Sequence, residues 1–188
     1  MKTKIFLLLI TSLIVVSNLN GQVTDNCVTN LILKTYSEKA FVSEPVTNQQ
    51  LDIILKSGMK APSARNMQPW KFTVIQDEPT MKEISDKTLP GNVVVIVSGL
   101  ESENGTASEF DCGLAAENMF IALHGLGLGG HIYGSPAGKI NSNKELFQIP
   151  KGYKAIIALH IGNVDKNVDA VSAASPRKTA EEIINYKK

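Results

Sequence analysis

The chain has 188 residues, a length that suits one domain of ordinary size. Its composition, 43% hydrophobic and 20% charged, excludes a disordered or collagen-like protein. Nineteen Lys and Arg residues against eighteen Asp and Glu residues give a net charge of +1, so no basic field favours nucleic acid as a partner. Two cysteines exclude a disulfide-rich scaffold and a four-thiolate zinc site.

The N-terminus has the three parts of a secretory signal peptide. Two lysines begin it, residues 5–16 form an almost unbroken apolar run, and residues 17–21 are small and polar. The apolar run is shorter than the roughly 20 residues that span a bilayer. We therefore predict that residues 1–21 are cleaved and that residues 22–188 are an exported domain, periplasmic or secreted, without stable membrane insertion. An uncleaved anchor is the alternative.

Helical patterns recur along the rest of the chain. Apolar residues at helical spacing, two capping boxes and a stopping proline mark the helix boundaries. The longest of these segments has a small-residue face, so we expect it in the core or at a subunit contact. The predicted helices cover residues 25–34, the stretch from Thr47 to Pro62, residues 108–126, and a short segment that begins at Thr179.

Three strands are predicted between these helices. Residues 71–76 alternate apolar and polar side chains, which indicates burial on one face. Residues 93–97 are a continuous β-branched run and residues 155–161 are similarly apolar, which is typical of strands covered on both faces. The fold class that results is α+β, with central strands wrapped by helices.

The glycines of residues 125–130 match the pattern G-x-G-x-x-G. A dinucleotide-binding fingerprint needs those glycines after a strand and before a helix. Here they follow a helix, so we interpret them as a helix C-cap with glycine in the left-handed conformation.

No side chain carries a signature of metal binding or of acid, base or nucleophilic catalysis. His124, His131 and His160 have no metal-ligand spacing, and no serine lies in a G-x-S-x-G motif. Cys112 is interpreted as a small buried hydrophobe. We therefore assign no catalytic residue and no metal ligand.

Residues 61–70, Ala-Pro-Ser-Ala-Arg-Asn-Met-Gln-Pro-Trp, bring a hydroxyl, two amides, a guanidinium and an indole into one connection. The same residue types also form ordinary turns. Carboxamides both donate and accept hydrogen bonds, which suits the edge of a heterocycle carrying carbonyls and ring nitrogens. The segment therefore favours cofactor binding over proton transfer.

This segment, with the helix before it and the strand after it, resembles the FMN-dependent nitroreductase family. Further segments resemble parts of that family in the expected order, and the resemblance covers most of the chain after residue 21. These segments are residues 37–41, which resemble the family's phosphate-binding segment, and residues 111–119, which resemble its dimer-forming helix. Residues 125–134 resemble the glycine-rich segment after that helix, residues 150–162 a late strand and residues 176–183 the C-terminal basic motif.

The resemblance implies a homodimer with a central mixed or antiparallel sheet, flanked by helices, and FMN bound at the subunit interface. Cationic and hydroxyl donors would meet the phosphate and ribityl end, while the 61–70 segment of the other subunit would reach the flavin. By this resemblance, the phosphate end is bound by Ser37, Lys39 and Arg177, and the residues that reach across from the partner are Pro62, Ser63 and Ala64. The ring edge or its loop is supported by Asn66 and Gln68. Backbone contacts to the ring come from Tyr133 and Gly134.

Three features depart from the family pattern. Thr35 stands where an arginine usually clamps the phosphate, and Ser175 stands where a lysine usually precedes Arg177. The stretch from Trp70 to Val93 is short, where many relatives carry additional helix over the flavin.

The activity implied is hydride transfer from NAD(P)H, through FMN, to a small-molecule electron acceptor such as a nitroaromatic or a quinone. Two alternatives stay open. One is an exported flavin-binding protein with little or no turnover, and the other is a flavin-free relative whose dimer surface serves interaction.

Overall fold

The computed structural model describes residues 26–101, 106–169 and 176–187, and it confirms the α+β class. The predicted signal peptide and Ser175 lie outside these residues. The helices are α1 (Cys27–Lys34), α2 (Asn48–Met59), α3 (Glu78–Ile84), α4 (Thr106–Gly125), α5 (Ala137–Ser142) and α6 (Ala180–Ile183). The strands are β1 (Trp70–Ile75), β2 (Val93–Leu100), β3 (Gly129–Tyr133) and β4 (Tyr153–Gly162). Within the described ranges, no helix combines the length and the apolar character needed to cross a membrane.

The four strands form one sheet in the order β1-β2-β4-β3, and every neighbouring pair is antiparallel. The predicted mixed or antiparallel sheet is therefore antiparallel. β2 and β4 lie in the centre, whereas β1 and β3 lie at the edges. A bulge interrupts the β2–β4 register between Val97 and Ser98.

The central strand β2 is buried on both faces, as its continuous apolar run predicts. Val95 and Val97 belong to a core cluster with side chains of α2 and α4. Val94 and Ile96 belong to a second cluster with side chains of α3 and α5. Alternate residues of one strand thus hold the two helical layers on opposite faces of the sheet.

The long helix α4 crosses the first face of the sheet. Cys112, Met119 and Leu123 are each 0% exposed within a single chain, so this face belongs to the protomer's own core. A side chain at Gly113 would meet open space, so Gly113 faces away from the core, whereas Ala115 and Ala116 of the same helix are buried in it.

Both predicted capping boxes are present. The Thr47 N–H donates to Gln50 Oε1 over 3.0 Å, and the Gln50 N–H donates back to Thr47 Oγ1 over 3.2 Å. At α6 the Thr179 N–H donates to Glu182 Oε2 over 2.9 Å. These reciprocal bonds satisfy amides that would otherwise lack a partner at the helix start.

β3 and the short helices α3 and α5 were not predicted from the sequence. Gly127 has a φ of +76°, as the C-cap interpretation requires, but the chain continues directly into a strand at Gly129. A Cβ on Gly130 would lie 2.7 Å from Leu123 Cδ2, so any side chain there would force Leu123 of α4 to shift. Glycines have low strand propensity, which is why residue pattern alone did not reveal β3. The segment between β1 and β2 contains α3, a single seven-residue helix.

Candidate functional site

A groove of about 500 Å³ brings together two of the residues assigned to phosphate binding, Ser37 and Arg177. The Thr35 and Tyr36 side chains line the same groove. Apolar side chains from α1, α4 and β3 form the rest of its wall: Ile32, Leu33, Phe120 and Ile132. The groove therefore has a polar end beside an apolar surface, and its size lies in the range of small-molecule sites.

The charges at the groove are one guanidinium and one carboxylate. Arg177 and Glu117 both line it, and both are exposed. The Ser37 hydroxyl adds a donor, whereas the Thr35 hydroxyl already donates to the Ile32 carbonyl over 2.9 Å. A guanidinium with a neighbouring hydroxyl is a donor set that suits a phosphate, and threonine at position 35 leaves no second guanidinium there.

A buried carboxylate fixes the segment that carries Ser37 and Lys39. Glu38 is 3% exposed, and its Oε1 accepts the N–H groups of Lys39 over 2.7 Å and Ala40 over 3.0 Å. The Glu38 N–H donates to the Gly130 carbonyl over 2.8 Å, which holds the segment against β3. Lys39 itself is exposed. Burial, followed by the charge of Glu38, raises the pKa of the Tyr36 hydroxyl.

The 62–68 loop, which connects α2 to β1, holds three non-glycine residues in the left-handed region. The φ angles are 53° at Arg65, 56° at Asn66 and 48° at Gln68. Such conformations cost free energy and concentrate at functional sites. Within the loop, Ser63 Oγ accepts the Gln68 N–H over 2.9 Å, and Gln68 Nε2 donates to the Asn66 carbonyl over 3.2 Å. Gln68 therefore supports the loop itself.

The outer surface of the 62–68 loop is exposed. Met67 has 66% of its surface exposed, and Pro62, Arg65 and Asn66 are exposed as well. The Asn66 amide thus stands where it can meet a second molecule. The Gln68 side chain lines a shallow groove of about 440 Å³ beside Trp70 and the edge strand β1.

Asp111 on α4 reaches the middle of this loop. Its Oδ1 and Oδ2 lie 3.1 and 3.3 Å from the Ala64 N–H, which donates to them. Asp111 is 2% exposed, although it is a carboxylate. Asp111 was predicted to lie in this helix, but no role was predicted for it. The available signal was an acidic residue among the apolar and small side chains of that helix.

Tyr133 and Gly134 lie at the end of β3. The Tyr133 ring stacks on His131 with ring centroids 4.2 Å apart, and its hydroxyl is buried without a hydrogen-bond partner in the described part of the chain. The ring packs against the second core cluster, with α3 and α5. A side chain at Gly134 would meet open space, so the backbone there is approachable.

The histidines have structural contacts. His131 Nδ1 lies 2.8 Å from the Glu38 carbonyl, which is a hydrogen-bond acceptor, so Nδ1 carries the proton. Burial lowers the pKa of His124. Across the described ranges, no group of three His, Cys, Asp or Glu side chains is arranged to hold a metal ion.

The predicted site residues therefore do not share one surface of a single chain, and Tyr133 and Gly134 line neither of the two grooves described above. Ser37 and Arg177 lie in the groove, whereas Ser63 and Asn66 lie in the 62–68 loop, and the two surfaces share no lining residue. Helix α4 contacts both the groove and the loop. Glu117 lines the groove, and Asp111, nearer the start of the helix, accepts a hydrogen bond from the loop.

Comparisons with known proteins agree with this fold. Residues 32–101 match the family model described as "Nitroreductase family". A "Putative NADH dehydrogenase/NAD(P)H nitroreductase" of Archaeoglobus fulgidus is 27% identical over 146 residues, which cover 70% of this chain and 82% of that protein. An "NADPH-flavin oxidoreductase" of Vibrio harveyi is 22% identical over 176 residues, which cover 82% of this chain and 71% of that protein.

The three-dimensional comparison gives the same result for the fold. A crystal structure of a nitroreductase with bound FMN from Bacteroides fragilis superimposes with a TM-score of 0.71 at 20% identity, and the match covers 87% of this chain and 100% of the other. The family-model match and the shared fold together confirm the resemblance of this chain to the nitroreductase family.

Proposed function

We propose that this protein is an FMN-dependent oxidoreductase of the nitroreductase type. In this proposal, hydride passes from NAD(P)H through FMN to a small-molecule acceptor, such as a nitroaromatic or a quinone. The observation that carries the proposal is the groove that joins Ser37 and Arg177 in a chain of this fold. The names of the Vibrio harveyi and Bacteroides fragilis proteins support a flavin as the cofactor.

The residues present fit an FMN phosphate and ring. Arg177, with the hydroxyl of Ser37, offers donors to a dianion at the polar end of the groove. Lys39 adds a second cation close by in sequence. In the 62–68 loop, the exposed Asn66 amide offers both a donor and an acceptor to a ring edge. When bound, FMN supplies the hydride chemistry, and the protein supplies orientation and charge.

A homodimer is part of the proposal, because each chain carries two separated half-sites. A twofold axis would place the loop of one copy beside the groove of the other and would create two equal sites. The outward face of α4 suits such a contact. An apolar groove of about 530 Å³ runs along it, lined by Val28, Ile32, Ile53 and Ile121, and Gly113 leaves room for close approach.

An anaerobic titration tests the cofactor and the reaction in turn. Purified protein without its signal peptide should bind FMN, and NADH or NADPH should then bleach the flavin absorbance. Protein that binds FMN but is not bleached by either nicotinamide supports the alternative of flavin binding without turnover. Failure to bind FMN supports the flavin-free alternative and overturns the proposal.

A variant pair tests the groove in the same titration. Arg177→Ala should weaken FMN binding by about 1.5–3 kcal/mol, the scale of hydrogen bonds to charged groups. Lys87→Ala removes a cation that is exposed in the loop after α3 and should leave the affinity unchanged. Equal affinities for the two variants would remove Arg177 from the site.

Export of the mature protein is also proposed, on the basis of the N-terminal sequence pattern. Mass spectrometry of protein from a fractionated native host should find a chain that begins near residue 22 outside the cytoplasm. An intact N-terminus in the cytoplasmic fraction would reject export. The electron donor available at the final location then decides whether NAD(P)H is the reductant.

A further inference from the structure

The 62–68 loop is an exposed connection whose shape is not explained by its own hydrogen bonds. Three of its residues adopt left-handed conformations that L-residues other than glycine visit at a cost. Such conformations persist where surrounding structure over-determines them. The bond between the Gln68 N–H and Ser63 Oγ is local, so it closes the loop but does not fix the loop to the rest of the fold.

Helix α4 supplies the fixed points. Asp111 accepts the Ala64 N–H in the middle of the loop, at a sequence separation of 47 residues. Two turns later, Asn118 Nδ2 donates to the Ser57 carbonyl over 3.2 Å, near the end of α2. Residues seven apart lie on one face of a helix, so this face of α4 contacts both the end of α2, which leads into the loop, and the loop itself.

The burial of Asp111 argues that its contact with the loop is specific. A carboxylate that is 2% exposed costs free energy unless hydrogen bonds compensate it. Among the ion pairs found in the described part of the chain, none involves Asp111. The Ala64 N–H thus supplies a hydrogen bond to a buried anion, and such charge-assisted bonds are stronger than neutral ones.

We infer that Asp111 is a positioning residue, which holds the 62–68 loop in the shape that meets the flavin. This inference rests on the proposed function. Asp111 acts through the Ala64 backbone, and it need not touch cofactor or substrate. Its effect is to keep the Asn66 amide exposed. A second copy of the chain then meets a preformed loop, and binding does not include the free-energy cost of ordering that loop.

Three variants separate this role from a general loss of stability. Asp111→Ala removes the acceptor, whereas Asp111→Asn keeps a carbonyl oxygen that can accept the Ala64 N–H. Asp77→Ala is the matched control, because Asp77 Oδ1 also accepts a backbone N–H, that of Thr80 over 3.0 Å, but does so at the start of α3.

Two readouts are used on the purified full-length mature protein. FMN affinity comes from flavin fluorescence. Loop order comes from trypsin, as the ratio of cleavage after Arg65, in the loop, to cleavage after Lys87, which is exposed outside it. A purely global destabilisation raises both cleavage rates together, so the ratio reports the loop.

For Asp111→Ala we expect FMN affinity at least tenfold weaker and a higher cleavage ratio. Asp111→Asn should stay within about threefold of the wild type in both readouts, since the acceptor remains. Asp77→Ala should leave the FMN affinity unchanged and should not raise cleavage after Arg65. An Asp111→Ala protein with wild-type affinity and cleavage ratio overturns the inference, as does an Asp111→Asn protein as defective as Asp111→Ala. Wild-type protein that binds no FMN instead rejects the proposed function, and with it the flavin part of this inference.

Discussion

The buried ring of His160 on β4 donates from Nε2 to the side-chain oxygen of Asn92, 2.8 Å away. Asn92 Nδ2 donates in turn to the Val42 carbonyl over 3.1 Å, so its oxygen must face the imidazole. His160 is 0% exposed, and its Nδ1 has no partner in the described part of the chain. Burial, with smaller contributions from His131 and Lys82, lowers the pKa of His160 to about 4.

This ring should make stability depend on pH. Below pH 6.5, the ordinary pKa of histidine, the unfolded chain takes up a proton that the folded chain refuses until about pH 4. The free energy of unfolding is therefore expected to fall across this window, by on the order of 3 kcal/mol in total. Urea denaturation at pH 7, 5.5 and 4.5 measures the loss.

A His160→Gln variant supplies the comparison, because glutamine does not ionise in this range. Its unfolding free energy should fall less steeply between pH 6.5 and 4.5 than that of the wild type. His131→Gln is the control and should keep most of the steep loss, because burial is the main cause of the lowered His160 pKa. Parallel pH profiles for the wild type and His160→Gln would contradict this account.

The two thiols should differ in reactivity. Cys27 is exposed at the start of α1, whereas Cys112 is buried. Burial, followed by the charges of Asp111 and Glu109, raises the pKa of Cys112 to about 12. Because the thiolate is the reactive form, a disulfide reagent at neutral pH should titrate one thiol in folded protein and two in guanidinium. The Cys27→Ser variant should have no reactive thiol until it unfolds. A rapid reaction of the folded variant would contradict the burial of Cys112.

The proposed dimer contact can be separated from the core by position on α4. Ile121 lines the outward apolar groove, so Ile121→Glu should give a folded monomer by light scattering and circular dichroism. Leu123 is 0% exposed within one chain, so Leu123→Lys should unfold the protein outright. Leu146→Glu changes an exposed apolar residue outside α4 and should keep the dimer. A folded Ile121→Glu dimer would place the contact elsewhere.

Asn66 combines a left-handed backbone with an exposed amide, and two substitutions separate these properties. Asn66→Gly keeps the backbone conformation and removes the amide, whereas Asn66→Ala removes the amide and adds backbone strain. If the amide meets the flavin, both variants should weaken FMN binding or shift its absorption spectrum. Only Asn66→Ala should also lower the melting temperature, by a few degrees. A glycine variant with wild-type titration and spectrum would assign Asn66 a backbone role alone.

The elements that local pattern predicted correctly are those whose signal lies in adjacent residues. The capping box at Thr47, the β-branched run of β2 and the long apolar α4 each specify their structure through nearby residues. β3 was missed because its glycines lie against distant segments of the chain, Gly129 against Glu38 and Val164 and Gly130 against Leu123 of α4. The short helices α3 and α5 bury few apolar residues each and carry little periodic signal.

The features of the candidate site also fall into two groups, those predicted from the sequence and those that depend on contacts between distant segments. The sequence by itself determined the fold class and the residue types of the 61–70 segment, because these depend on composition and local order. The assignment of Ser37, Lys39 and Arg177 to the phosphate end came from the family resemblance and stays a prediction. Only the tertiary structure decided that Ser37 and Arg177 share one groove, that the loop stands apart from it, and that Asp111 holds the loop. Those relations join residues far apart in the chain, and packing of α4 against the sheet is what brings them together.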